Sequence, residues 1–212
     1  MKTQAKGKYQ SLTGKYRPLT YFQLMEVSLR ELLVGKGLIT ERDVRRQVDD
    51  MASRTPGRGA AVVARAWTDE KFRKRLLKNG SAACEELGFD VKPMHLVVVE
   101  NTPKVHNVIV CTLCSCYPRP LLGLPPDWYK SRNYRSRMVR EPRKVLQEFG
   151  LKIQKEVQVR VHDSTADMRY MVLPMRPAGT EGWGEARLAS LVTRDSMIGV
   201  ALPKRPARAP RR

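Results

Sequence analysis

The sequence predicts an α+β protein in which a helical N-terminal arm precedes a layered α-β-β-α domain. Three observations indicate this order. Apolar residues recur at helical spacing through the first 90 residues, β-branched hexapeptides begin only at residue 95, and a cluster of cysteines follows the second hexapeptide. The 212 residues are 42% hydrophobic, which is enough to bury a core and excludes a wholly disordered chain.

The net charge of +19 is concentrated at the two ends of the chain. Residues 1–18 and 204–212 each carry five basic side chains and no acid, so these tails supply ten of the nineteen charges. Between the tails, basic and acidic residues interleave as on a solvated surface, and no aromatic pattern of the RNA-binding type occurs. We therefore expect two basic tails, and the charge distribution disfavours a nucleic-acid partner without removing it from the alternatives.

The sequence has no membrane or export signal. No run of about 18 apolar residues occurs, and the N-terminus lacks the apolar stretch of a secretory signal. A cytoplasmic protein without a membrane partner is the expectation.

The expected arm consists of short helices. Tyr21–Lys36 has apolar residues at helical spacing, and Thr40 with Asp43 resembles a capping box before a second, polar helix. Pro56 and Gly57 indicate a loop. The expected elements are helices at 21–36, 41–52, 61–67, 69–77 (capped by Thr68) and 81–87, with a loop at 53–60.

The domain behind the arm mixes strands and helices. His95–Glu100 and Val105–Val110 are rich in β-branched residues and are expected to be strands. Further expected elements are helices at 125–129, 136–149 (interrupted or started near Pro142) and 185–191, and strands at 157–161 and 170–173. The predicted divisions are a basic tail (1–18), the helical arm (19–90), an α/β domain (91–203) and a second basic tail (204–212).

Three of the four cysteines, Cys111, Cys114 and Cys116, fall within six residues. Such a cluster indicates metal chemistry rather than a disulfide framework. A structural zinc site is one interpretation, but zinc requires four ligands and would have to recruit Cys84 or His106. Another soft-ligand metal is the second interpretation, and the spacing alone leaves both open.

The Cys-x-x-Cys-x-Cys spacing allows a claw around one ion. Three thiolates this close must share the ion, and the main-chain nitrogens of Ser115 and Cys116 then lie within bonding range. If both nitrogens deprotonate, the ion has three sulfurs and two nitrogens in a square pyramid, with a sixth position left for water or substrate. Such donors favour a trivalent, low-spin ion, and the vacant position makes the site catalytic.

Two stretches around the cluster carry a family resemblance. Val110-Cys-Thr-Leu-Cys-Ser-Cys-Tyr117 and Leu122-Gly-Leu-Pro-Pro-Asp-Trp-Tyr-Lys130 are similar to the metal loop of the nitrile hydratase α subunit and of its relative, the thiocyanate hydrolase γ subunit. The resemblance extends over roughly residues 20–202 and includes Val63–Trp67, Val99–Pro103, Arg176–Thr180 and Thr193–Val200. It implies that the α-β-β-α domain carries the metal loop and is catalytic.

The resemblance also implies one non-corrin Co(III) per chain. The three cysteines would supply the sulfur ligands, and Ser115 and Cys116 the nitrogen ligands. Cys114 would be oxidised to a sulfinate and Cys116 to a sulfenate. Thr112 resembles the cobalt branch of the family. The implied reaction is hydration of a nitrile to an amide, with Cys114 and Cys116 as catalytic residues and the Cys116 sulfenate oxygen as a candidate nucleophile.

The same resemblance implies that the chain works with partner proteins. In the family, arginines of another subunit pair with the oxidised cysteines, so this chain would be incomplete alone. We expect a hetero-oligomer with a nitrile hydratase β-type subunit, of one chain or two, around which the arm at 19–90 wraps. A cobalt-loading activator protein is a further expected partner.

Two positions depart from the nitrile hydratase pattern. Arg119 stands where most nitrile hydratases have Trp, and Lys92 aligns with a common Gln, so both add positive charge near the expected pocket. An Arg at position 119 is similar to the thiocyanate hydrolase γ subunit, whose enzyme converts thiocyanate to carbonyl sulfide and ammonia. Arg119 is therefore the expected substrate-binding residue. Leu124-Pro125-Pro126 follows the hydratase instead.

Three interpretations of the function therefore remain. Cobalt-type nitrile hydratase is the first, and thiocyanate hydrolase is the alternative. A zinc-binding or nucleic-acid-binding protein without enzymatic activity is the competing class.

Overall fold

The computed structural model describes residues 18–206, so most of the two basic tails lies outside the described residues. The chain divides into two compact units, one ending at Asp49 and the other beginning at Asp50. Among the helices of residues 18–206, none is long and apolar enough to cross a membrane.

The first unit contains helix α1 (Tyr21–Gly35) and the start of α2 (Glu41–Ser53). The Asp43 N–H donates to the Thr40 hydroxyl at 3.1 Å, and the Thr40 N–H donates to the Asp43 carboxylate at 3.0 Å, which confirms the predicted capping box. None of the α1 residues is buried, although the helix is rich in large apolar side chains.

The second unit begins with a helix where the sequence predicted a loop. Helix α3 (Pro56–Thr68) includes most of the predicted loop at 53–60. Pro is compatible with the first helical turn, because the N–H that it lacks has no partner there. Gly59 lies where a β-carbon would collide with Met197 and Leu122. The Pro-Gly pair therefore starts a closely packed helix instead of a turn.

Two short helices, α4 (Glu70–Lys78) and α5 (Gly80–Glu86), follow. The predicted cap of α4, Thr68, is wrong. The Thr68 hydroxyl contacts the Ala64 carbonyl oxygen at 3.2 Å, whereas the Asp69 carboxylate accepts the Phe72 N–H at 2.9 Å. Asp69 caps the helix because Thr68 still belongs to the last turn of α3.

The remaining elements alternate strands and short helices. Strands β1 (His95–Glu100) and β2 (Val105–Val110) have the predicted bounds, and β3 (Gln158–Asp163) and β4 (Met168–Leu173) differ from them by one or two residues. The helices are α6 (Arg119–Leu122), α7 (Asp127–Lys130), α8 (Arg132–Arg140), α9 (Pro142–Glu148), α10 (Glu185–Ala189) and α11 (Arg194–Ile198).

The sequence predicted that the helix at 136–149 is interrupted or starts near Pro142, and the structure has two helices that meet there, α8 and α9. The backbone of Glu141 leaves the helical region at φ −140°, and Pro142 then starts α9. A proline at this point cannot donate to the preceding turn, so the chain restarts instead of continuing.

Two parallel sheets of two strands each form the centre of this unit. Strand β1 pairs with β4, and β2 pairs with β3. Helices α4 and α5 pack on β1, α9 packs on β3, and α11 contacts both β2 and β4. This arrangement confirms the predicted α+β class. The fully buried side chains include Val62, Val63, Leu76, Val108, Ile109, Leu121, Leu122, Met171, Leu188 and Met197.

Gly199 allows the end of α11 to lie directly against β2. It has φ +94°, and its carbonyl oxygen contacts the buried His106 ring nitrogen Nε2 at 2.7 Å. A β-carbon at this position would collide with the carbonyl oxygen of Asn107. Both the backbone conformation and the close approach therefore require glycine.

We expect Gly199→Ala to lower the free energy of unfolding by about 3–5 kcal/mol, because left-handed strain and overpacking add. Gly182→Ala is the matched control, since Gly182 has φ +72° but nothing within 4 Å of the added carbon. Gly182→Ala should lower the free energy of unfolding by about 1–2 kcal/mol. Denaturant unfolding of both variants measures the difference, and equal costs would contradict the close approach of α11 to β2.

Candidate metal centre

The cysteine loop begins where β2 ends. Val110 is the last residue of the strand, and Cys111 follows it with a fully buried side chain. Cys114 is exposed and Cys116 is half-buried. The loop therefore has one sulfur fixed in the interior and two that a small molecule can approach.

The three sulfurs converge on one point. The Sγ atom of Cys114 lies 3.5 Å from that of Cys111 and 3.1 Å from that of Cys116, and all three lie within 4.8 Å of one another. In residues 18–206 this is the sole group of three or more His, Cys, Asp or Glu side chains arranged to hold a metal.

The sulfur–sulfur distances favour right-angled over tetrahedral coordination. With metal–sulfur bonds of about 2.3 Å, tetrahedral thiolates would lie about 3.8 Å apart, whereas thiolates at right angles would lie about 3.3 Å apart. The observed distances of 3.1 and 3.5 Å fall on either side of the second value. These two distances are therefore closer to the right-angled spacing of a square-pyramidal or octahedral ion than to the tetrahedral spacing of structural zinc.

Neither side chain considered as a fourth zinc ligand joins the cluster. The His106 ring nitrogens are engaged by the Gly199 carbonyl oxygen at 2.7 Å and by Asn101 Nδ2 at 3.3 Å. Cys84 is buried in α5, where burial raises the pKa of its thiol to about 12. Within the part of the chain that the structure describes, the three cysteines have no fourth protein ligand of these types.

Side chains from three later elements hold the loop. Asp163, at the end of β3, accepts hydrogen bonds from the Thr112 N–H at 2.9 Å and the Thr112 hydroxyl at 2.5 Å. The buried Tyr129 hydroxyl donates to the Cys116 carbonyl oxygen at 2.9 Å. Arg135 of α8 donates to the Cys114 carbonyl oxygen at 2.6 Å. The loop backbone is therefore held along its length, which preorganises the sulfurs.

The pKa values of the two outer cysteines move in opposite directions. The pKa of Cys114 is lowered to about 7, mainly because its sulfur accepts a hydrogen bond from Cys116. The backbone N–H groups of Ser115 and Cys116 also lower this pKa. Burial raises the pKa of Cys116 to about 12. Cys114 is thus the outer thiol that ionises near neutral pH.

A cavity of about 380 Å³ opens beside the outer cysteines. Residues 114–116 line one part of it. Among the described residues, no Asp or Glu lines the cavity, and its walls carry four cationic side chains: Arg54, Lys92, Arg119 and Arg169. The cavity therefore has a positive potential next to the sulfurs.

The structure brings the predicted ligands and the predicted substrate residue together. Ser115 lines the same cavity as Arg119, which starts helix α6, and Lys92, the second departure from the family pattern. The sequence did not single out Arg54 or Arg169 for this site. Arg54 lies within the predicted loop at 53–60, just before α3, and Arg169 lies on β4, more than 50 residues after the cysteines. No local pattern therefore linked either of them to the cysteines.

Residues 20–201 match the family model described as nitrile hydratase, alpha chain. The chain belongs to this family. The nitrile hydratase resemblance inferred from the cysteine hexapeptide is therefore confirmed over most of the chain.

The chain is similar in sequence to subunits of two differently named enzymes. The low-molecular weight cobalt-containing nitrile hydratase subunit alpha of Rhodococcus rhodochrous is 50% identical over 188 residues, which cover 86% of this chain and 89% of that protein. The thiocyanate hydrolase subunit gamma of Thiobacillus thioparus is 45% identical over 195 residues, which cover 86% of this chain and 80% of that protein.

A solved structure shares the fold. It is a double mutant of the Fe-type nitrile hydratase from Comamonas testosteroni Ni1, with a TM-score of 0.83 and 45% identity. The match covers 90% of this chain and 95% of that chain. A recombinant thiocyanate hydrolase comprising partially modified cobalt centers shares the fold as well, with a TM-score of 0.83 and 42% identity over 92% of this chain and 99% of that chain. The fold alone therefore does not separate an iron nitrile hydratase from a cobalt-containing thiocyanate hydrolase.

We expect Asp163→Ala to weaken metal binding by about 10- to 100-fold, because outer-shell partners orient metal ligands. The variant loses both bonds to Thr112. Asp163→Asn is the matched control, since its amide oxygen can still accept the Thr112 N–H, and its loss should be smaller. Cobalt retained per chain against increasing chelator measures the effect. Unchanged retention in the alanine variant would show that Asp163 does not support the loop.

Proposed function

We propose that this chain is the catalytic subunit of a cobalt-type nitrile hydratase, which adds water across a carbon–nitrogen triple bond to give an amide. The observation that carries the proposal is the convergence of three cysteine sulfurs beside an open cavity. The right-angled spacing of the sulfurs favours cobalt over zinc. Thr112 and the 50% identity to a cobalt-containing relative favour cobalt over iron.

The proposed cofactor is one non-corrin Co(III) per chain. Its sulfur ligands are Cys111, Cys114 and Cys116, and its nitrogen ligands are the main-chain nitrogens of Ser115 and Cys116. Ser115 and Cys116 both line the cavity beside the converging sulfurs, which supports this set. When bound, the ion supplies a Lewis-acidic sixth position for water or a nitrile.

Cys114 and Cys116 are the proposed catalytic residues, because their sulfurs are accessible whereas Cys111 is fully buried. A thiol that ionises near neutral pH is open to oxidation, which fits the sulfinate proposed at Cys114. The sulfenate proposed at Cys116 rests on the family resemblance. The Cys116 oxygen is then the candidate nucleophile toward the nitrile carbon. Addition of one water gives an imidate, which tautomerises to the amide.

A second subunit is part of the proposal. Several α1 side chains are large, apolar and at least half exposed: Tyr21 (69%), Phe22 (79%), Leu24 (52%), Met25 (52%), Leu29 (57%) and Leu32 (54%). Such a patch favours burial against another protein. We propose that the arm at 19–90 wraps a β-type subunit of one or two chains in a hetero-oligomer, that 91–203 is the catalytic domain, and that an activator protein loads the cobalt. A cytoplasmic location stays a prediction from the sequence.

Thiocyanate hydrolase is the second candidate function. The position of Arg119 in the wall of the cavity favours it, because a guanidinium can hold an anion beside the sulfurs. The 45% identity to a thiocyanate hydrolase subunit gamma adds support.

Metal analysis tests the proposal. We expect the chain, coexpressed with its β-type partner, to hold one cobalt per chain, to show a thiolate-to-metal absorption band and to hydrate nitriles. Cys114→Ala should lose all three properties, because it removes a ligand. Cys84→Ala is the control, since Cys84 lies outside the cluster, and it should retain them. Stoichiometric zinc in a colourless protein would contradict the proposal.

A substrate comparison separates the two candidate functions. We expect the same cobalt-loaded complex to hydrate an aliphatic nitrile and to leave thiocyanate unchanged, as measured by amide and carbonyl sulfide formation. Turnover of thiocyanate alone, abolished by Arg119→Trp, would instead place thiocyanate hydrolysis first.

A further inference from the structure

We propose that the substrate of this chain is a nitrile that carries a carboxylate, and that Arg119 binds the carboxylate and thereby selects for negative charge. The inference rests on the proposed nitrile hydration and names the substrate class of that same site. It begins from the charge of the cavity, which has four cationic side chains and, among the described residues, no acid in its walls.

Two of the four cations are already paired. Arg54 Nη2 lies 2.5 Å from the Asp50 carboxylate, and Lys92 Nζ lies 3.1 Å from the Glu85 carboxylate. These ion pairs contribute less to the positive potential of the cavity, because each has a carboxylate close by.

Arg169 is held beside the metal loop. Its Nη1 donates to the Ala166 carbonyl oxygen at 2.6 Å, so part of its guanidinium already has a partner. It also lines the cavity together with Cys116, the site of the proposed sulfenate. Arg169 is therefore less available to a substrate than a cation with no partner.

Arg119 is the cation that remains. Within residues 18–206 its exposed guanidinium has no hydrogen bond or ion-pair partner, yet its backbone is well anchored. The Arg119 N–H donates to the Tyr117 carbonyl oxygen at 2.8 Å, and Pro118 and Pro120 flank it. Its planar guanidinium, on an anchored backbone three residues after Cys116, can donate two parallel hydrogen bonds to a carboxylate.

The size of the cavity favours a carboxylated nitrile over a smaller anion. Thiocyanate has three atoms and would occupy a small part of about 380 Å³. A nitrile with a short carbon chain ending in a carboxylate can reach the sulfurs with one end and Arg119 with the other. Hydration adds one water and converts the C≡N group into an amide, while the carboxylate is unchanged and no other reactant is needed.

A pair of isosteric nitriles tests the inference on the cobalt-loaded complex. 3-Cyanopropanoate is charged, and 3-cyanopropanamide has the same shape without the charge. We expect a preference in kcat/KM of about tenfold or more for the carboxylate. Arg119→Gln should lower kcat/KM for 3-cyanopropanoate by about 10- to 100-fold, mainly through KM, and change that for the amide by less than about threefold.

Two further variants keep the comparison interpretable. Arg119→Lys retains the positive charge and should keep part of the preference. Arg132→Gln removes an exposed cation of α8 that lines a separate cavity beside Thr112 and Leu113, and it should leave the ratio of the two substrates unchanged. The cobalt content and the absorption band of each variant show whether the metal loop is intact.

Three outcomes would overturn the inference. Equal turnover of the two nitriles would leave nitrile hydration standing without charge selection. An equal loss for both substrates in Arg119→Gln, with a shifted absorption band, would assign Arg119 to the metal loop instead. Turnover of thiocyanate but of neither nitrile would reject both this inference and the proposed nitrile hydration.

Discussion

The parallel register between β2 and β3 is the constraint on which the cysteine loop depends. It pairs Val110 with Asp163 at the ends of the two strands. Because β2 stops at that pair, the next residues leave the sheet beside the Asp163 carboxylate, which accepts both hydrogen bonds from Thr112. A shift of one residue would turn the side chains of β3 to the opposite face and separate the carboxylate from the loop.

The three cysteines of the loop differ in burial, and their reactivity differs accordingly. Cys111 is enclosed by the core, so its sulfur is an anchor, whereas Cys114 and Cys116 face the cavity. Hydrogen bonding lowers the pKa of the exposed Cys114, and burial raises that of Cys116. Three identical side chains within six residues therefore have three environments, which suits a site that binds a metal at one side and a substrate at the other.

Local signals predicted much of the fold. Strands β1 and β2 were predicted with their observed bounds, because β-branched hexapeptides next to a proline-containing turn are unambiguous. The helix predicted at 61–67 lies within α3, but its start at Pro56 was missed, because Pro56 and Gly57 usually mark a turn. The packing of Gly59 against Met197 and Leu122 favours a helix there. The cap of α4 was misplaced by one residue for a similar reason, since Thr68 was already part of α3.

The sequence by itself determined the family and the cluster of three cysteines, because the cysteines are close in the chain and their spacing is a local property. Arg119 was likewise visible, since it lies three residues after Cys116. Only the tertiary structure decided what surrounds the loop. Asp163 and Arg169 reach it from β3 and β4, and Arg54 from the start of the second unit. Such neighbours depend on strand pairing and helix packing between distant segments, and no local pattern encodes that pairing.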